Sequence, residues 1–125
     1  MKVVIDTSAW IEYFQGTTKG KIVDEYLKNN ETLTPSIVLL ELSYKADKEK
    51  WDMKKHLDFM RFNTSIIGLN DSFVLEFGRI YNEAKKKAKD FGLADAIVLT
   101  TAKMNDGKVL TCDKHFSGFD NSIML

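Results

Sequence analysis

Four carboxylates in this 125-residue chain stand where their neighbours would not ordinarily place a surface acid. Two follow short apolar runs, Val3-Val4-Ile5-Asp6 and Val109-Leu110-Thr111-Cys112-Asp113. Functional groups of open α/β sheets collect at the carboxyl ends of strands. Either aspartate alone also reads as a turn residue or a helix cap. Glu41 lies within Ile37-Val38-Leu39-Leu40-Glu41-Leu42, a stretch too apolar for a solvated face. An unpaired buried carboxylate costs several kcal/mol, so Glu41 is expected to face a cation. Lys45, four residues on, is one candidate and a metal ion is the other. Asp95, in Leu93-Ala94-Asp95-Ala96-Ile97, falls in a predicted first helical turn. Capping and dipole stabilisation explain an acid there, while flanking alanines permit close approach by another group.

Four acids converging on one pocket repel one another unless cations neutralise them, and at least one is then expected to hold its proton unusually tightly. All-oxygen ligation selects hard divalent ions, Mg²⁺ or Mn²⁺, over zinc. Such a site suits phosphodiester hydrolysis, with one ion activating water and a second steadying the leaving oxygen. Spacing alone does not bring the four acids together.

The elements that must position them are legible as an alternation. Lys2–Ile5 reads as a buried strand, followed by a helix over 9–14 that Ser8 is expected to cap and Gly16 to end. A second helix covers 19–29, with Ile22, Val23, Tyr26 and Leu27 inward. Residues 32–34 form a minimal strand, and Pro35 suits the first turn of a third helix running to about Lys45. A helix over 52–62 and a strand over 65–69 come next. Phe73, Val74, Phe77, Ile80, Tyr81 and Ala84 follow the stripe of an amphipathic helix. The next helix spans about 94–104 and ends near Gly107, before a strand over 108–111. The tail can add one more. Short apolar strands alternating with helices predict a single-domain three-layer α/β/α sandwich over 1–125, with a mostly parallel sheet of four to five strands.

Composition bounds the classes. A hydrophobic share of 44% with 29% charged residues excludes a disordered chain. No apolar run approaches the ~20 residues of a membrane span. The N-terminal residues do not read as a signal peptide. A single cysteine, Cys112, offers neither an intrachain disulfide nor a zinc spacing, and is expected to be a small core residue. A reducing, cytoplasmic location is the expectation. With 18 basic against 18 acidic residues, net charge gives no sign of a nucleic-acid partner. The lysines do cluster, at 45–55 and 85–89, in runs that also read as solvated helix faces and ends.

Taken in order, Val3-Val4-Ile5-Asp6-Thr7-Ser8, Pro35 through Glu41, Leu93-Ala94-Asp95-Ala96-Ile97 and Val109 through Asp113 with Phe116 resemble the PIN-domain family, specifically the toxins of VapBC toxin–antitoxin systems. The resemblance spans almost the whole chain. It implies a Mg²⁺- or Mn²⁺-dependent endoribonuclease acting on RNA. Asp6, Glu41, Asp95 and Asp113 would be the metal-binding acids, with Thr7, Ser8 and Thr111 as supporting hydroxyls. It further implies a homodimer silenced by a cognate antitoxin whose basic side chain enters the acidic pocket. One position departs from the family: where a further aspartate often follows the last acid by two residues, this chain has His115, leaving one carboxylate fewer for a second metal.

Among rivals, a haloacid-dehalogenase-type phosphatase would want an acid where Ser8 stands, and a receiver-like domain would want an adjacent acidic pair and a conjugating lysine. A PIN-like domain without catalysis, serving as a protein- or RNA-binding module, is the alternative from a different class. Trp10, Tyr13, Phe14, Trp51 and Phe62 suggest an apolar groove for an amphipathic partner helix.

Overall fold

The computed structural model describes residues 1–125. Five strands form one sheet: β1 (Lys2–Ile5), β2 (Glu31–Pro35), β3 (Ser65–Ile67), β4 (Lys108–Thr111) and β5 (Ser122–Met124). Their order is β3-β2-β1-β4-β5, and every neighbouring pair is parallel. Six helices connect them: α1 (Thr7–Gln15), α2 (Thr18–Asn29), α3 (Ser36–Glu49), α4 (Met53–Asn63), α5 (Asp71–Lys87) and α6 (Leu93–Met104). A 3₁₀ turn, Lys114–Phe116, lies between β4 and β5.

Parallel strands covered on both faces need continuous apolar runs, and Val3, Val4, Ile5, Val109 and Leu110 are fully buried. The chain steps from β1 through β2 to β3 in one direction, then returns past β1 to β4 and β5. Right-handed crossovers put α1 to α4 on one face and α5 with α6 on the other. The helix contacts agree: α1 packs on α2 and α3, α3 on α4, and α5 on α6. The reversal of strand order falls between β1 and β4, the location where such sheets form a crevice at their carboxyl ends.

The helix that follows β1 is held rigidly. Gly16 ends α1 in the left-handed conformation at φ 67°, and its amide bonds back to the Glu12 and Tyr13 carbonyls. Gly20 lets α2 press against α1 so closely that a Cβ there would collide with the Glu12 carbonyl. Trp10 is fully buried, stacks on Phe14 at 5.3 Å between centroids, and donates from Nε1 to Thr34 Oγ1 at 3.1 Å.

Several details differ from expectation. Pro35 is the last residue of β2, its φ of −62° serving an extended conformation, and α3 begins at Ser36. Asp6, not Ser8, is the residue preceding α1, and Ser8 turns its hydroxyl toward β4 instead of capping the helix. The third strand stops at Ile67. Ile22 and Val74 are exposed, because each apolar stripe is wider than the face its helix buries. The five aromatics do not line a groove: Trp10 is core, Tyr13 and Phe14 pack on it, Trp51 is half-buried against His56, and Phe62 is 93% exposed. Trp10, Tyr13 and Phe14 pack on one another, whereas Phe62 stays open to solvent.

Candidate active site

Strand register sets the site. Ile5 pairs with Leu110, and the Asp6 amide donates to the Leu110 carbonyl at 3.1 Å, so the first residues past β1 and β4 emerge side by side. Asp6 is buried, at 6% exposure. The Thr111 hydroxyl donates to Asp6 Oδ2 at 2.7 Å. That single hydroxyl proton is thereby committed, so the Ser8 hydroxyl, 3.1 Å from Thr111 Oγ1 and 3.4 Å from Asp6 Oδ2, supplies its own proton toward the pair. Backbone amides close the arrangement: Cys112 donates to Ser8 Oγ and Asp113 to Thr111 Oγ1, each at 2.9 Å. Each hydroxyl oxygen thus accepts a backbone amide while its proton points toward the Asp6–Thr111 side.

Burial dominates the acidity of Asp6. Desolvation raises its pKa from 3.8 to about 6, opposed by the Thr111 hydroxyl and the Thr7 amide. Repulsion from Glu41 and Asp95 adds smaller upward contributions. A raised pKa in the cluster was expected from mutual repulsion; its main cause is loss of solvent.

The other acids surround this buried one. Glu41 is exposed, and Thr7, immediately after Asp6, donates its hydroxyl to Glu41 Oε1 at 2.6 Å. The expectation of a buried Glu41 fails because Val38, Leu42 and Ala46 take the inward face of α3. Leu40, Glu41 and Tyr44 consequently turn out, with Leu40 and Tyr44 about two-thirds exposed. Lys45 is not its partner either, reaching Glu49 instead at 3.4 Å.

Asp95 sits at the third position of α6 and accepts the Gly92 amide at Oδ2, 2.9 Å away, so the capping role foreseen for it is real. The same Oδ2 lies 2.9 Å from His115 Nδ1, and that nitrogen is 3.5 Å from Asp113 Oδ1. Asp113 Oδ1 also accepts the His115 amide at 2.9 Å, which holds the 3₁₀ turn. Ligand atoms of Asp95, Asp113 and His115 fall within 4.8 Å of one another. The bond to Asp95 and the charge of Asp113 raise the His115 pKa. In the sequence His115 reads as a lost carboxylate, whereas the structure sets its ring against Asp95 and Asp113. Its spacing, two residues past Asp113, was the available signal. Cys112 is half-buried rather than in the core, with Lys19, Glu12 and Ser8 acting on its thiol, and burial pushes the thiol pKa up.

At this carboxyl edge Asp95, Asp113 and His115 gather closely, while Asp6 and Glu41 lie outside that group, with Glu41 and Asp95 near enough to Asp6 to oppose its ionisation. A groove of about 520 Å³ opens beside it, lined by Thr7, Ile11, Leu40, Glu41, Tyr44, Lys45 and Lys48. The lysines at 85–87 end α5 instead, where Lys85 and Lys87 lie over Tyr81 and Phe119.

No helix is long and apolar enough to cross a membrane. None of the curated proteins matches the chain significantly. Among solved structures, it is similar to a chain of VapBC2 from Rickettsia felis, described as bound to a DNA fragment from the promoter (TM-score 0.78, 22% identity, covering 100% of this chain and 98% of that one). It is also similar to chains of DNA-bound VapBC from Salmonella typhimurium (0.75, 19%, 100% and 97%) and of FitAcB from Neisseria gonorrhoeae (0.70, 20%, 98% and 96%). At these identities the likeness is one of fold. The PIN-domain family model matches residues 3–121. The chain belongs to the PIN-domain family.

Proposed function

We propose that this protein is a divalent-metal-dependent endoribonuclease, the toxin of a toxin–antitoxin pair, with Asp6, Glu41, Asp95 and Asp113 as its metal-binding acids. The observation that carries the reading is a carboxylate buried among other carboxylates: Asp6, 6% exposed, with Glu41 and Asp95 close enough to oppose its ionisation. Burial of that kind disfavours the anion unless a cation compensates it. The donor set fits such an ion, since it is mostly carboxylate oxygen, with Asp95, Asp113 and His115 already gathered. When bound, Mg²⁺ or Mn²⁺ supplies Lewis-acid polarisation of a phosphodiester and activates water.

The chain's own residues do the positioning. Thr111 and Ser8 hold the Asp6 carboxylate in one orientation, and Thr7 holds Glu41. Lys45 and Lys48 line the adjoining groove, where they attract the phosphates of a strand, and the exposed Tyr44 ring offers a face for a base. Family membership supports nuclease chemistry, and similarity to chains from VapBC structures supports an antitoxin partner. Cytoplasmic location and a homodimer belong to the same reading.

The test is cleavage of single-stranded and structured RNAs by the purified chain with Mg²⁺, with Mn²⁺ and with chelator. Metal-stimulated cleavage by the wild type, absent in Asp6→Asn, is the expected result. RNA left intact under all conditions, yet retained by the protein, identifies a binding module instead. Co-expression with the product of the adjacent reading frame is expected to yield a complex with suppressed cleavage.

A further inference from the structure

We infer that His115 is a metal ligand of this site, supplying nitrogen through Nδ1 alongside Asp95 and Asp113, and that it tilts the site from Mg²⁺ toward Mn²⁺. The inference rests on the metal-dependent reading above. The imidazole is not merely near the acids. Its Nδ1 faces both carboxylates, 2.9 Å from Asp95 Oδ2 and 3.5 Å from Asp113 Oδ1. An octahedral ion with bonds near 2.1 Å separates adjacent donor atoms by about 3 Å. Two of the three donor pairs therefore stand near the spacing of neighbouring ligands and the third lies within 4.8 Å, with an ion taking the place of the proton that Nδ1 and Asp95 share.

The backbone holds the ring there. The His115 amide is tied to Asp113 Oδ1, Phe116 beyond it is fully buried, and its ring packs edge-on against Phe91 at 5.2 Å. Phe91 immediately precedes the Gly92 whose amide fixes Asp95. One aromatic contact thus links the two segments that carry the three donors. With 42% of its side chain exposed, His115 leaves the donors open to entry from solvent.

Ligand chemistry gives the selectivity. Carboxylate oxygens serve Mg²⁺, Ca²⁺ and Mn²⁺ alike, whereas imidazole nitrogen favours transition-metal ions and contributes little toward Mg²⁺. Replacing an acid by histidine removes one negative charge, which weakens Mg²⁺ most because that ion depends on hard oxygen donors. Between these two ions the nitrogen compensates Mn²⁺ more than Mg²⁺, as it would the later transition-metal ions to a greater degree.

Mn²⁺ is paramagnetic, so its ligands are readable without any turnover. Pulsed electron paramagnetic resonance of the full chain loaded with Mn²⁺ alone is expected to show nitrogen modulation from a directly bound imidazole. His115→Gln should abolish that modulation and weaken Mn²⁺ binding, by calorimetry, about tenfold or more, with Mg²⁺ affinity changed less. His115→Asp should also lose the nitrogen signal while raising Mg²⁺ affinity relative to Mn²⁺. The only other histidine, His56, stacks on Phe14 and serves as the control position. Bound Mn²⁺ that is lost in Asp6→Asn but lacks nitrogen modulation overturns the His115 assignment and leaves the four-acid site standing. Absence of saturable Mn²⁺ binding overturns both.

Discussion

Asp6 and Glu41 lie on opposite sides of a boundary between protein and solvent, although a single residue, Thr7, touches the surroundings of both. Asp6 is enclosed by β1, β4 and α1, its oxygens oriented by hydroxyls from Thr111 and Ser8. Glu41 projects from the outer face of α3 into an open groove and has one hydroxyl partner. The same carboxylate chemistry therefore has different energetic consequences. The buried acid imposes a cost on the metal-free fold that a bound ion would relieve; the exposed acid imposes almost none, because water already screens it. On the proposed function, activity and stability oppose each other at the first and are nearly independent at the second.

The largest expected effect that tests this contrast is on cleavage. Asp6→Asn should lower metal-dependent RNA cleavage by about 10³-fold or more, several kcal/mol of transition-state stabilisation. A rate within about threefold of wild type would remove Asp6 from the machinery.

Next in size is the pH dependence of stability. The folded state binds the Asp6 proton more tightly than the unfolded chain does, with a pKa of about 6 against 3.8. Stability from this group is thus fully present below pH 4 and is lost as pH rises through 6, a loss on the order of 3 kcal/mol. Denaturant melts of metal-free protein should show wild type losing stability relative to Asp6→Asn across that window, leaving the variant more stable at pH 7. Mg²⁺ or Mn²⁺ should reverse the difference for wild type only. If the variant is instead less stable at pH 7 without metal, Asp6 is a structural acid.

A smaller effect is expected at Thr111. Thr111→Val removes the hydroxyl between Asp6 and the Asp113 amide, at a cost of about 1–3 kcal/mol for buried groups left without partners. It should also push the Asp6 pKa higher still, observable by carbon-detected NMR titration of the carboxyl.

The smallest stability effect belongs to Glu41. Glu41→Gln should change unfolding free energy by no more than about 0.5 kcal/mol, as expected for an exposed position, while reducing cleavage by about tenfold. A destabilisation comparable to that of Thr111→Val would erase the contrast between the two acids.

Much of this was readable in the residues themselves. Val3-Val4-Ile5 and Lys108-Val109-Leu110-Thr111 declared buried parallel strands, since only residues covered on both faces stay apolar without alternation. Amphipathic periodicity located α5, and acids placed just past two strands marked the sheet edge that carries the candidate site. Local rules failed where two interactions competed for one group. Ser8 was a ready helix cap, yet the Cys112 amide across the sheet claimed its oxygen. Pro35 suited a helix start, yet it closed β2.

What only the tertiary structure decided is which acid is buried and what His115 faces. Glu41 has the more apolar neighbours in sequence, but a helix turns about 100° per residue and its apolar run is wider than the stripe α3 buries, so Glu41 emerges into solvent. Asp6 has a threonine and a serine beside it, but the central strand delivers it beneath β4 and α1. His115 is 20 residues from Asp95, and its proximity arises from a chain reversal through β4 and the 3₁₀ turn. Residue identity and local periodicity determined the elements and the chemical types available. Burial and charge proximity depend on the order in which strands enter the sheet, and that order is a property of the whole chain.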